Sequence, residues 1–179
     1  RAVSNIDVDV QGGPDSLRGA DMEGAQLEGA NFSGRNMKDV NLANANLRGA
    51  DFSGSNLANA NFHGANAEGA NFSGANLKDT NMPKMNLTGA NLMGANLKNA
   101  NLEQSNLTGA QIAGANFKDA SLKGATMPQG QEFRNEGDLY QYGASGRGTS
   151  TGQRHVRIEI TNDDEEEKRK NDEDDREDR

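Results

Sequence analysis

The sequence predicts a stacked repeat structure in place of an ordinary globular domain, and three observations carry that prediction. First, a large apolar residue falls on every fifth position from Leu17 to Met127, giving 23 consecutive centres with no insertion. Five is neither the helical period of about 3.6 nor the strand period of 2. Second, Leu, Ile, Val and Phe make up only 28 of the 179 residues, and the formal net charge is -8. That composition cannot bury a conventional core, so order has to come from repetition. Third, a longer period of twenty lies inside the period of five.

The repeat unit is sharply defined. Twelve centres are Leu, five Phe, four Met and one Ile, with Ala67 the exception. The residue two before the centre is Ala in 16 units, the residue just before it is Asn in 16, and the residue two after it is Gly in 14. The stretches ANLRG (45–49), ADFSG (50–54), ANFSG (70–74) and ANLKN (95–99) show the pattern A-(N/D)-(L/F)-x-x. It resembles the pentapeptide-repeat family over residues 15–129. The resemblance implies an all-β fold, a right-handed quadrilateral parallel β-helix of nearly six coils, with one pentapeptide on each side. Physical chemistry agrees with it. The centre and the small residue two before it point inward, and the pair after the centre turns a corner, where Gly relieves positive φ. Stacked coils lie about 4.8 Å apart, the inter-strand spacing, and Asn in register can ladder along the axis.

Four units per coil place residues twenty apart on top of one another, and the sequence repeats at that distance too. Phe32, Phe52, Phe72, Leu92 and Ile112 form one core column. Leu17, Met37, Leu57, Leu77, Leu97 and Phe117 form another. The second column is followed by Lys38, Lys78, Lys98 and Lys118, with Ala58 as a gap, and then by Asp39, Asn59, Asp79, Asn99 and Asp119 at the corner. The lysines define a candidate interaction edge for an acidic partner, which the neighbouring acids largely offset. Two inward positions depart from the repeat. Arg35 stands where Ala belongs, and a lone buried guanidinium is costly. Asp15, one coil below, is its expected partner, with Ser55 one coil above. Ala67 leaves room where Leu belongs, and Met85 is placed to fill it.

The ends need covers. Residues 1–14 are expected to supply an N-terminal capping strand, with Ile6, Val8 and Val10 alternating. Residues 130–162 are expected to form a C-terminal cap and linker. Phe133, Leu139, Tyr140 and Tyr142 fold over the last coil, 143–152 link, and 155–160 add a short strand. Residues 163–179 hold eleven acidic and five basic side chains and form an acidic, disordered tail.

Chemistry is sparse. There is no cysteine, which removes disulfides, thiolate metal sites and Cys nucleophiles. His63 and His155 have no companions at metal-ligand spacing. No Ser–His–Asp arrangement is indicated. The glycine-rich stretches are corners of the repeat, not phosphate loops. The sequons at Asn31, Asn71, Asn86 and Asn106 arise from repetition of N-(F/L)-(S/T). No catalytic, cofactor or metal site is therefore expected. The expected role is a non-enzymatic structural or protein-interaction module, a monomeric rod with a protein partner, without nucleic acid or membrane insertion. The resemblance also implies an alternative, because some relatives bind gyrase as DNA mimics and give quinolone resistance. Residues 15–129 carry ten acids and nine bases, which argues against a mimic of duplex charge. No apolar helical seam like the one through which those relatives dimerise follows Met127. The chain starts at Arg1, which favours an exported or organelle-lumen compartment over the cytoplasm.

Overall fold

The structure, a computed structural model, describes residues 17–146. Its organising contact is a series of parallel bridges between residues twenty apart, running from Asp21–Asn41 to Asn106–Thr126. Each five-residue unit in the middle of the stack places three backbone N–H groups in inter-coil bonds. In the Phe52 unit, Phe52 N–H donates to the Asn71 carbonyl at 2.7 Å, Gly54 N–H to Ser73 at 2.9 Å, and Asp51 N–H back to Ala30 at 2.9 Å. A fourth bond closes the corner, from the N–H of the residue three after the centre to the centre's own carbonyl, as Ser55 N–H does to Phe52 at 3.1 Å. The chain is a β-helical solenoid with a corner every five residues and a lap every twenty. The sides are numbered here by their centres: the first runs from Leu17, the second from Met22, the third from Leu27 and the fourth from Phe32.

The turn chemistry follows from the backbone. The second central residue of each corner from Gly19 to Gly124 has positive φ near +60°, for example 64° at Gly54. A type II turn needs that value, and Gly adopts it without strain. Pro83 occupies the first central position of its corner, where its ring presets φ.

The core is a stack of columns. Phe32, Phe52, Phe72, Leu77, Leu92, Leu97 and Phe117 are completely buried, and Ile112 nearly so. On the fourth side the rings of Phe32, Phe52 and Phe72 stack nearly parallel, with centroids 5.1 and 5.0 Å apart. Phe62 on the second side meets Phe52 and Phe72 edge-on, at 6.3 and 6.0 Å. Both geometries are favourable for aromatic pairs. Ala67 and Met85 are both fully buried in neighbouring columns.

Three uncharged polar residues stand at inward Ala positions, and all are buried: Ser55, Thr80 and Ser105. Each hydroxyl donates at 2.7 Å to the carbonyl three residues earlier, on Phe52, Leu77 and Leu102. The corner thus satisfies its own inward hydroxyl, which removes the desolvation cost of an orphan group. Ser55, the neighbour of Arg35 one coil above, thus spends its hydroxyl proton on a backbone carbonyl. Arg35 is half-buried. Its expected partner Asp15 lies outside the described residues, as do the capping strand, the strand at 155–160 and the acidic tail.

After Pro128 the chain leaves the repeat. Thr126 and Glu132 form an antiparallel bridge, Met127 N–H donates to Gln131 at 2.7 Å, and Phe133 N–H returns to Ala125 at 2.8 Å. A single helical turn follows, α1 (Gly137–Tyr140), which the sequence reading did not foresee. The Asp138 carboxylate, itself buried, accepts the Arg134 N–H at 2.7 Å. Phe133, Leu139 and Ala144 are buried against the core, with Tyr142 partly so. Tyr140 differs from expectation: it is 58% exposed, because the short helix points Leu139 inward and its neighbour out. Of the linker expected at 143–152, the first residues instead pair with the last coil, and the rest lies outside the described residues. Ser145 bridges Asn116 in parallel and takes the place that residue 136 would hold in a further coil.

A candidate interaction edge

With the interior filled by the core, the outward residues carry whatever chemistry the rod has. Just before most centres, an Asn side chain does two things. Its Oδ1 accepts the backbone N–H two residues on, as Asn71 does from Ser73 at 3.0 Å. This Asx turn fixes the corner. Its amide can also donate to the residue one coil below. On the second side the run is continuous, from Asn101 to Asn81 (3.4 Å), Asn81 to Asn61 (3.0 Å), Asn61 to Asn41 (3.1 Å) and Asn41 to Asp21 (2.9 Å).

The corner of the first side is chemically different. Among the described residues, eight non-glycine residues have positive φ, and five of them stack here: Asp39 (63°), Asn59 (59°), Asp79 (59°), Asn99 (57°) and Asp119 (59°). The equivalent corners of the fourth side are all glycine, from Gly34 to Gly114. Asn and Asp tolerate the left-handed region better than other side chains but less well than Gly. Residues held there against preference are a pointer to function.

The alternation of Asp and Asn gives each donor an acceptor. Asn59 donates its amide to Asp39 at 2.9 Å and Asn99 to Asp79 at 2.8 Å. Arg18 Nε reaches Asp39 at 3.3 Å. These contacts hold both carboxyls below the ordinary 3.8. For Asp39 the Asn59 hydrogen bond is the largest cause, opposed by desolvation and helped by Lys38 and Arg18. For Asp79 it is the Asn99 hydrogen bond, with Lys78 and Lys98 adding to it.

Beside this row run the lysines. Lys38 and Lys98 are half-buried, and Lys78 and Lys118 are exposed. Lys78 Nζ lies 3.6 Å from Asp79, a pair open to solvent and worth little. Among the described residues, Lys38, Lys98 and Lys118 close no ion pair. With Arg18, the first side carries net +2, against -3 for the rest of residues 15–129. Of the residues expected from the sequence, the structure thus brings the four lysines onto one edge and the eight core residues into two buried columns.

His63 is exposed on the second side, and His155 lies outside the described residues. Among the described residues there is no group of three His, Asp or Glu able to hold a metal ion. No helix among them is long and apolar enough to cross a membrane. The Asp–Asn hydrogen bonds were missed in the sequence, although the alternation at twenty-residue spacing was visible there. The signal overlooked was that a corner of Asp alone would stack like charges.

Comparison with known proteins places this architecture. Among solved structures, the chain is similar to HetL, a pentapeptide repeat protein involved in heterocyst differentiation regulation from the cyanobacterium Nostoc sp. strain PCC 7120. The identity is 33%, over 66% of this chain and 64% of that one, with a TM-score of 0.58. It is also similar to trypsin-treated QnrB1, a plasmid-mediated fluoroquinolone resistance protein, with 26% identity over 70% of this chain and 64% of that one and a TM-score of 0.57. The chain thus spans less than two thirds of either neighbour. No curated protein matches it. The sequence profile of pentapeptide repeats matches in eight copies, over residues 16–34, 36–74, 70–109 and 90–129. The chain belongs to the pentapeptide-repeat family.

Proposed function

We propose that the chain is a non-enzymatic interaction module whose first-side edge docks an acidic segment of a partner protein. In this reading the β-helix is right-handed, of nearly six coils, and serves as a monomeric rigid ruler. The observation that carries the reading is the segregation of chemistry. Lys38, Lys78, Lys98 and Lys118 line one edge, beside five left-handed Asp and Asn residues where the fourth side has only glycine. Cations stacked about 4.8 Å apart, with one gap at Ala58, offer several charges along one line to an extended acidic segment. Likeness to a fluoroquinolone resistance protein raises the gyrase-binding alternative. The near balance of ten acids and nine bases over residues 15–129 gives it no support.

The test is fluorescence anisotropy with a labelled glutamate-rich peptide at about 50 mM and about 500 mM salt. It uses a full chain whose own acidic run, 163–167, is neutralised. Binding should weaken at least about tenfold at the higher salt, where the screening length is only a few ångströms. It should be lost when Lys38, Lys78, Lys98 and Lys118 become Glu, but kept when Lys84 and Lys123 on the second side do. Equal loss in both variants would assign the binding to net charge and sink the proposal.

A further inference from the structure

The described chain ends on the same side as the lysine row. Ser145 pairs with the first side through its N–H to Ala115 at 2.9 Å, and it accepts the Phe117 N–H at 2.6 Å. Gly146 then lies directly against the Lys118 backbone: a Cβ at Gly146 would come within 2.2 Å of the Lys118 nitrogen. Only glycine fits there, so this contact fixes where the chain departs, which is the C-terminal end of the lysine row.

The sequence beyond that point contains an acidic run, Asp163, Asp164, Glu165, Glu166 and Glu167, within residues 163–179, which hold eleven acids and five bases. We infer that this run is a ligand of the lysine edge in the same molecule. This inference rests on the reading of the edge as an acid-binding surface and names its first occupant.

Length and charge both fit. Lys118 and Lys38 are 80 residues apart, which is four laps of twenty, or about 19 Å at about 4.8 Å per lap. Five acids in extended form cover about 17 Å, close to the row itself. Residues 147–162 join Gly146 to the run, and sixteen residues span at most about 53 Å, so the run reaches every lysine. A tether this short holds its ligand at an effective concentration in the millimolar range. An external acidic partner must then displace the run, so the protein carries its own competitor. Modest, salt-sensitive affinity is what such a competitor needs, and solvent-exposed ion pairs supply it.

The experiment is amine acylation of the full chain with limiting acetic anhydride, read residue by residue by mass spectrometry. At about 50 mM salt, Lys38, Lys78, Lys98 and Lys118 should react at least about threefold more slowly than in a full-length variant carrying D163N, D164N, E165Q, E166Q and E167Q. Lys84 and Lys123 should be unchanged, and about 500 mM salt should erase the difference, as expected for screened charges. Equal rates in the two chains would overturn the inference, whatever the peptide assay shows. Protection that grows with protein concentration would also overturn it, in favour of docking by a second copy. Failure of the underlying reading has a different signature, in which the neutralised chain does not bind the glutamate-rich peptide at all.

Discussion

The first and fourth sides of this rod share one backbone and differ in almost everything they show to solvent. Both close each corner with the same backbone hydrogen bond, and both bury one large residue per unit. Outside, the fourth side presents Ser33, Ser53, Ser73, Met93 and Ala113 beside glycine corners. The first presents Lys38, Ala58, Lys78, Lys98 and Lys118 beside Asp and Asn. The fold therefore depends on the inward residues and on the polar residue, mostly Asn, before each centre, while the two residues after the centre are open to other uses. Where they are Gly and Ser they ease the turn. Where they are Asp and Lys they cost conformational strain that the turn does not need.

The comparison breaks most violently from inside. Phe52→Ala removes a ring that stacks on two neighbours and meets a third edge-on. It should cost about 3–5 kcal/mol in chemical denaturation, against about 2–5 for Leu77→Ala on the first side. A cost below about 1 kcal/mol for Phe52→Ala would mean that the aromatic column does not hold the solenoid together.

A smaller effect separates the corners. At Gly74, φ is 63° and an added Cβ would meet nothing within 4 Å, so Gly74→Ala isolates the left-handed penalty. It should destabilise by about 1–2 kcal/mol. Asp79→Gly on the first side should be neutral or stabilising, since relief of φ strain offsets a solvent-exposed hydrogen bond. If both substitutions destabilise equally, the Asp corner is a structural requirement and the functional contrast between the sides disappears.

The smallest effect is in pH. The Asp39 and Asp79 carboxyls are held below 3.8 in the folded chain. Their contribution is then complete above the unfolded value and is lost as pH falls through the lower folded value. Thermal stability should decline on acidification below about pH 4, with a slightly shallower slope in the double variant Asp39→Asn, Asp79→Asn. Identical acid limbs in melts of the two proteins would place the acid sensitivity elsewhere.

Much of this was legible in the chain, because a solenoid makes each structural neighbour a fixed distance along the sequence. A residue at i and one at i+20 had to stack, so the phenylalanine column and the lysine row could be read directly. The cap could not. Ser145 stands in for position 136 only because a hairpin and a helical turn between them consume nine residues, and no period reports that number. The hydroxyls of Thr80 and Ser105 were equally silent, since their acceptors are carbonyls of their own corners. The direction of the Asp–Asn bonds was implicit in the residue types, because a carboxylate can only accept.

That rule about donors has a consequence for the second side. Its run of amides begins at Asp21, which receives from Asn41 but has no amide to pass on, and it stops at Ser121, which donates instead to Glu103 at 2.8 Å. The side-chain ladder thus has punctuation, an opening mark and a closing mark spelled in two residues. A rod built from nearly identical rungs is told where to start and stop counting, and its two ends are not interchangeable.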